Sequence, residues 1–314
     1  MQAIPKLPIL EFTDDALESI RKCHNLHDPG RMEEAVDILC EWIQKQEHFL
    51  RKDFPRDYLE RIIISTKGSL EKAKVRLDKI CTMKTLAPKY FQDQDLRDVK
   101  HVLDGFKFFV LPKFAPDYYR VYFVKGYAKH ITANDFQAFY KYSIRFCEYW
   151  MKHDYFNGFI LVLDFTHKDL NILEFITNNN PSELHQHIVA YMKVYGARLK
   201  GIHIVTSSKL ADALVSFIKP FFGAKLATRF HVYKKMDDLF ETVPRDIFPI
   251  EYGGKEKSIA ELHDKWFEVL NSKEHREYIK ETVKAGTNES RRLINKLNDE
   301  YLGMPGTFRV LKID

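Results

Sequence analysis

Apolar residues recur at helical spacing up to about residue 91, and the period then changes. Thr13-Asp14-Asp15 is a helix-start signal. Met32 to Phe49 carries Val36, Leu39, Cys40 and Ile43 at helical spacing, Pro55 opens a helix through Tyr58 to Ile64, and Ser69-Leu70-Glu71 opens another in which Ala73, Leu77 and Ile80 share a face. Past Pro88, Phe106 to Leu111 and Arg120 to Tyr127 read as strands and Thr132 to His153 as a long aromatic helix. Gly158 to Asp164 and Gly201 to Val205 are short apolar runs bounded by turn residues, with a helix from Ser182 to about Tyr195 between them. Strand, crossover helix and strand make a βαβ unit and a buried parallel pair. The pattern predicts an α/β fold: a helical N-terminal lobe over 1–92, a second domain over 93–270, and a C-terminal helix and tail over 271–314.

From Thr206 to Phe230 the period is helical again, but the face is unusually wide. A helix capped by Thr206 or Ser207 puts Leu210, Leu214, Phe217 and Phe221 on one stripe, widened by Ala211, Val215, Ile218 and Phe222. Lys209, Asp212, Ser216 and Lys219 leave only a thin polar edge. Pro220 predicts a kink or break, Gly223 adds freedom, and Lys225 and Arg229 follow at i, i+4. Such a segment is either a core helix with solvated lysines or a helix that leaves its bed to enter a membrane interface, its bases meeting anionic headgroups.

Charge sharpens that choice. Residues 184–236 hold nine Lys/Arg and one acid, Asp212, a net +8 in a chain whose total is +5. The remainder is slightly acidic, so the basic window points to an anionic partner at one place. With 314 residues, 45% hydrophobic and 14% aromatic, the chain can bury a core that leaves room for a pocket. The start MQAIPKLPILEF has no signal-peptide pattern and no apolar run is long enough to span a bilayer, so a soluble cytoplasmic protein is expected. Cys23, Cys40, Cys81 and Cys147 lie far apart in no metal-ligand spacing and are expected as reduced, buried thiols.

Catalytic signals are missing. Neither GxGxxG nor GxxxxGK[ST] follows a strand, and no GxSxG elbow occurs. His185 and His187 diverge on a helix, His203 lies in a strand, and no third ligand accompanies them. Asp237-Asp238 reads as a helix-start pair. The expectation is no enzyme, no metal and no cofactor.

Three stretches then carry a resemblance. GIHIV from Gly201, FIKPFFGAKLATRFHV after it and VPRDIFPIEYGG ending at Gly254 resemble the CRAL-TRIO lipid-binding domain, in the branch of the alpha-tocopherol transfer protein and cellular retinaldehyde-binding protein. EWIQKQEHF (Glu41 to Phe49) and SLEKAKVRLDKICTMKTLAPKYF (Ser69 to Phe91) resemble the helical lobe that precedes that domain. PGTFRVLKID (Pro305 to Asp314) resembles the tail of invertebrate members, so the likeness covers roughly 33–314. Two departures stand out: IIISTKG (Ile62 to Gly68) replaces an Arg-rich turn, and His167 stands where a Gly is usual.

The resemblance implies a mixed, largely parallel sheet flanked by helices, with an apolar pocket under a gate helix matching Thr206 to about Arg229. It also implies phosphoinositide binding by Arg198, Lys200, Lys225 and Arg229. Physical grounds agree, since Arg198 and Lys200 would project to one side of an extended segment, Lys225 and Arg229 would stack on a helix, and both residue types bind phosphate. The pocket is expected to use Phe159, Leu161 and Leu163, Ile202 and Ile204, Tyr140 and Ile144, His187 and Tyr191, and Leu214, Phe217 and Phe221. The expected function is a monomeric carrier of one hydrophobic ligand, such as a retinoid, tocopherol, carotenoid or terpenoid, that exchanges it at phosphoinositide-containing membranes by peripheral association. The alternative is a phosphoinositide-binding adaptor that moves no ligand. Nucleic acid is not expected as a partner, because the aromatics beside the bases belong to an amphipathic helix.

Overall fold

The computed structural model describes residues 7–292, so the tail motif from Pro305 lies outside the described residues. Helices α1 (Ala16–Lys22), α2 (Arg31–Gln44), α3 (Arg56–Ser65) and α4 (Leu70–Leu86) build the N-terminal lobe. Ser69 caps α4 by accepting the Lys72 amide. Leu39, Ile43, Leu59, Ile62, Ile63, Leu77 and Ile80 seal the lobe's interior at 0% exposure. The isoleucine run therefore fills the core, and Arg76 of α4 reaches back to the Ser65 carbonyl and hydroxyl at 2.8 Å each.

A short helix α5 (Lys100–Gly105) leads into the second layer. It contains β1 (Phe106–Val110), β2 (Tyr119–Gly126), α6 (Ala133–His153), β3 (Gly158–Asp164), α7 (Ile172–Thr177), α8 (Pro181–Val189), β4 (Leu199–Val205), α9 (Ala211–Ile218), α10 (Ala224–Ala227) and β5 (Phe230–Tyr233). Strand order is β1-β2-β3-β4-β5, with β1 antiparallel to β2 and every other pair parallel. Helices on both faces bury the parallel strands, which is why β3 and β4 read as continuous apolar runs. Then follow α11 (Met236–Leu239), α12 (Ile259–Asn271) and α13 (Lys273–Val283). Strand β5 and helices α5 and α7 were not visible in the sequence. β5 has four residues, and His231 and Val232 in it are exposed.

Two buried devices hold the layers together. Lys84 of α4 pairs with Glu148 of α6 at 3.4 Å, both side chains at most 1% exposed. Glu148 also accepts from Tyr195 (2.6 Å), Tyr278 (3.3 Å) and Thr282 (3.2 Å), so the charge is fully hydrogen-bonded. At the end of β3, Asp164 accepts from Lys125 (2.6 Å) and from the Tyr252 hydroxyl. Tyr252 belongs to the EYGG motif, in which Gly253 adopts φ 74°, so that motif is a clasp on the sheet. His167 caps its own turn, accepting the Asp169 amide at 3.3 Å while its ring packs on Tyr127.

The four thiols are free, but only Cys81 and Cys147 are buried. Cys40 is half-buried and Cys23 exposed, because Cys23 ends α1 at the surface.

Candidate functional site

The sheet face carrying Tyr122 and Val124 of β2 and Phe159, Leu161 and Leu163 of β3 floors a cavity of about 170 Å³. Register makes the floor: Tyr122 pairs with Leu161 and Val124 with Leu163, so all point one way. Phe136, Phe139, Tyr140, Ser143 and Trp150 of α6 form one wall, and Leu184, His187 and Ile188 of α8 the other. The wall continues through Tyr191 and Met192, which lie on a turn of π-helix, Ala190–Val194, appended to α8. Such turns are frequent at functional sites. Ile218 and Phe222 close the top.

Six expected pocket residues meet there: Tyr140, Phe159, Leu161, Leu163, His187 and Tyr191. The other six do not. Ile144 is buried one position off the stripe of α6 that reaches the cavity through Tyr140 and Ser143. Ile202 and Ile204 pair with Leu161 and Leu163 and share their face, yet at 1% and 0% exposure they are packed into the core beside the cavity. Leu214 is sealed in the core at 0% exposure, and Phe217 and Phe221 stand half-exposed with rings edge to face at 5.8 Å. The cause is Pro220: α9 stops at Ile218 and a 3₁₀ turn, Lys219–Phe221, follows. The inward residues on either side of it are therefore Ile218 and Phe222. The expected cap also moves, since the helix starts at Ala211 and Thr206 is buried at 2%, its hydroxyl accepting the Ser208 amide.

Apart from Asp135, polar groups in the cavity wall are few and neutral. Tyr140 donates to Asn179 at 2.7 Å, and Tyr191 to the Ser143 carbonyl at 3.1 Å. His187 stacks on Tyr140 at 4.3 Å, and burial pushes its imidazole down to about pKa 3, so it is uncharged at neutral pH. Asp135 is committed to capping α6, accepting the Thr132 amide at 2.7 Å. Among the described residues, no Lys or Arg lines the cavity.

Basic residues gather around the start of β4, next to Ala197 and Leu199 of the cavity wall. A bulge pairs Phe159 with Leu199 and Ile160 with Gly201, leaving Lys200 as the extra residue. Bulges re-aim side chains, yet Arg198 and Lys200 both lie beside Tyr119. Lys200 passes over the Tyr119 ring to Asp117 at 3.0 Å. Arg198 is half-buried against His24 of the helical lobe at 3.4–3.5 Å. Burial and the Arg198 charge hold His24 down to about pKa 4. Arg229 lies past the end of α10 and donates to the Leu199 carbonyl rather than stacking on Lys225, which is exposed. Arg76 joins this group unannounced by the sequence. Burial and the nearby Arg198 lower it to about pKa 10, and its Nε has no partner. No carboxylate pairs with Arg76 or Arg198 among the described residues.

Comparison with known proteins agrees with this architecture. Residues 107–254 match the CRAL/TRIO domain. An alpha-tocopherol transfer protein-like protein of Mus musculus is 35% identical over 86 residues, 27% of this chain and 24% of its own length. The alpha-tocopherol transfer protein-like protein of Homo sapiens is 36% identical over 58 residues, 18% of this chain and 17% of its own length. The matched stretch thus spans a quarter or less of these relatives. The crystal structure of Sfh5 superposes with a TM-score of 0.51 at 13% identity, covering 87% of this chain and 98% of that one, and shares the fold.

Proposed function

We propose that this chain, whose residues 107–254 match the CRAL/TRIO domain, carries one hydrophobic lipid in the cavity beneath Ile218 and Phe222 and exchanges it at phosphoinositide-containing membranes. The observation that carries the proposal is a cavity walled by aromatic and aliphatic side chains and closed by a helix broken at Pro220. Burying hydrocarbon contributes roughly 0.8 kcal/mol per CH₂, which exceeds the ordering costs of binding for a ligand of about 20 carbons. Ligand pockets commonly enclose about 300–1,000 Å³, more than the 170 Å³ here. Loading such a lipid therefore moves the roof outward, and α9 with α10 is the segment built to move.

Delivery is assigned to the basic end. Lys200 and Lys225 are exposed, Arg229 is half-exposed, and Arg76 and Arg198 hold partly desolvated charge with no acid beside it. An anionic headgroup supplies the missing counter-charge, and Phe217 and Phe221 stand half-exposed on the roof segment. No helix among the described residues is long and apolar enough to cross a membrane, and in this reading the chain works from the cytoplasm and meets membranes peripherally. The likeness to relatives named alpha-tocopherol transfer protein-like fits a carrier without catalysis. We place the working divisions at 1–92, 93–270 and 271–314, with the monomer as the unit.

Two measurements test this. An organic extract of the purified protein should yield about one apolar molecule per chain by mass spectrometry, and Leu161→Trp, which fills the floor, should lower that yield. Each base near an anionic surface contributes about 1 kcal/mol, so Lys200→Ala, Lys225→Ala and Arg229→Ala together should weaken binding to phosphatidylinositol bisphosphate vesicles at least tenfold while the protein retains its lipid. Wild-type vesicle binding by a chain that never retains lipid would favour the adaptor.

A further inference from the structure

The turn between β1 and β2 holds two adjacent residues in the left-handed region, Asp117 at φ 64° and Tyr118 at φ 59°. Asp tolerates that region, whereas a tyrosine there is an outlier that the surroundings must impose. Here they do. Ala115 closes the turn by donating its amide to the Tyr119 carbonyl at 2.8 Å. Asn157, 6% exposed, donates its backbone amide to the Tyr118 carbonyl at 2.9 Å and its Nδ2 to the Asp117 carbonyl at 2.8 Å. The Tyr118 hydroxyl is tied to Asp15 of the helical lobe at 2.7 Å. Strain over-determined in this way points to a use for the shape. What the shape does is set the Asp117 carboxylate 3.0 Å from Lys200 Nζ, which the same turn also meets with the Tyr119 ring at 4.7 Å. Of Arg198, Lys200, Lys225 and Arg229, Lys200 is the one with a carboxylate partner among the described residues.

We propose that Asp117 is an internal competitor for the membrane headgroup: it occupies Lys200 while the protein is in solution and takes Lys200 back as the protein leaves. The inference rests on the phosphoinositide reading of the basic end and concerns how that end is regulated. Both side chains are exposed, so a headgroup phosphate reaches the pair and can replace the carboxylate. Contact at Lys200 is then an exchange of one anion for another, and its net gain is smaller by the strength of the internal pair. Exposed pairs are usually weak because two free side chains must be ordered. This one is prepared in advance, with the Asp117 backbone locked by Asn157 and the Lys200 ammonium held over an aromatic ring. A carrier has to leave each membrane it visits, and a counter-ion built beside one of its headgroup contacts shortens the stay.

The test is the rate of release from vesicles of phosphatidylcholine with phosphatidylinositol bisphosphate, measured by stopped flow on the full-length protein. Asp117→Asn keeps a residue that tolerates the left-handed conformation, and an unchanged urea midpoint confirms its fold. It should slow release about three- to fivefold, the upper part of the range for an exposed pair. In a Lys200→Ala background the same substitution should change nothing. Asp15→Asn removes an equal charge beside the same turn but leaves Lys200 paired, and should release like the wild type. An unchanged rate in Asp117→Asn, an equal slowing by Asp15→Asn, or a slowing that persists without Lys200 overturns the competitor while leaving the phosphoinositide reading intact. Failure of both the wild-type chain and Asp117→Asn to bind these vesicles overturns both.

Discussion

At position 254 a single methyl group decides whether the EYGG clasp can form. A Cβ on Gly254 would lie 1.9 Å from the Phe248 carbonyl oxygen and 2.7 Å from that of Arg245, both backbone atoms that cannot swing aside. Gly254→Ala should therefore cost at least about 3 kcal/mol, at the upper end for overpacking. Gly223 is the control: it has φ −60° and nothing within 4 Å of a built Cβ. Gly223→Ala should be neutral or stabilise by up to about 1 kcal/mol, by narrowing the unfolded ensemble. Urea denaturation of both variants checks the pair, and an unperturbed Gly254→Ala would remove the clasp role. The motif that carried the family resemblance thus works on the fold, holding Tyr252 to Asp164, and none of its residues lines the cavity.

Among elements, the segment from α9 to α10 carries few internal supports. Of α9 only Leu214 and Ile218 are buried, and of α10 none, whereas β3 is hydrogen-bonded to β2 and β4 along its length. Opening free energy follows burial and bonding, so amide hydrogen exchange should run faster over 209–222 than over 160–164. Anionic vesicles should speed the first segment and leave the second unchanged. Equal protection throughout would leave the roof without its moving part. The same contrast explains what the sequence revealed. Strands buried on both faces announce themselves as apolar runs, and the floor triplet Phe159, Leu161 and Leu163 follows from period two. The roof does not, because one proline converts a continuous stripe into two helices with a 3₁₀ turn between them, replacing Phe217 and Phe221 by Ile218 and Phe222. Nor does the bulge at Lys200, because it depends on how β4 pairs with β3. Arg76 was out of reach altogether: only the folded lobe brings α4 to Gly196.

Across the whole molecule, buried neutral histidines set how stability responds to acid. Burial holds His187 and His275 down to about pKa 3 and His263 to about 4, and these three are at most 8% exposed. Their unfolded value is about 6.5. Between those limits the unfolded chain binds protons that the folded chain refuses, so their contribution is complete above about pH 6.5 and is lost as pH falls toward their folded values. At pH 5 each costs about 2 kcal/mol relative to neutral pH, from roughly 1.4 kcal/mol per pH unit over 1.5 units. Glu60 and Asp154, whose carboxyls are raised by burial, act in the opposite sense, but they are fewer and each faces an arginine that limits the rise. The delipidated protein should therefore lose stability from pH 7 to pH 5, read as a falling urea midpoint. His187 makes the cleanest probe, since its Nδ1 has no partner to lose. His187→Phe should flatten the slope below pH 6 by one proton, about 1.4 kcal/mol per pH unit, and a slope unchanged by that substitution would mean that the imidazole is not held neutral in the folded wall.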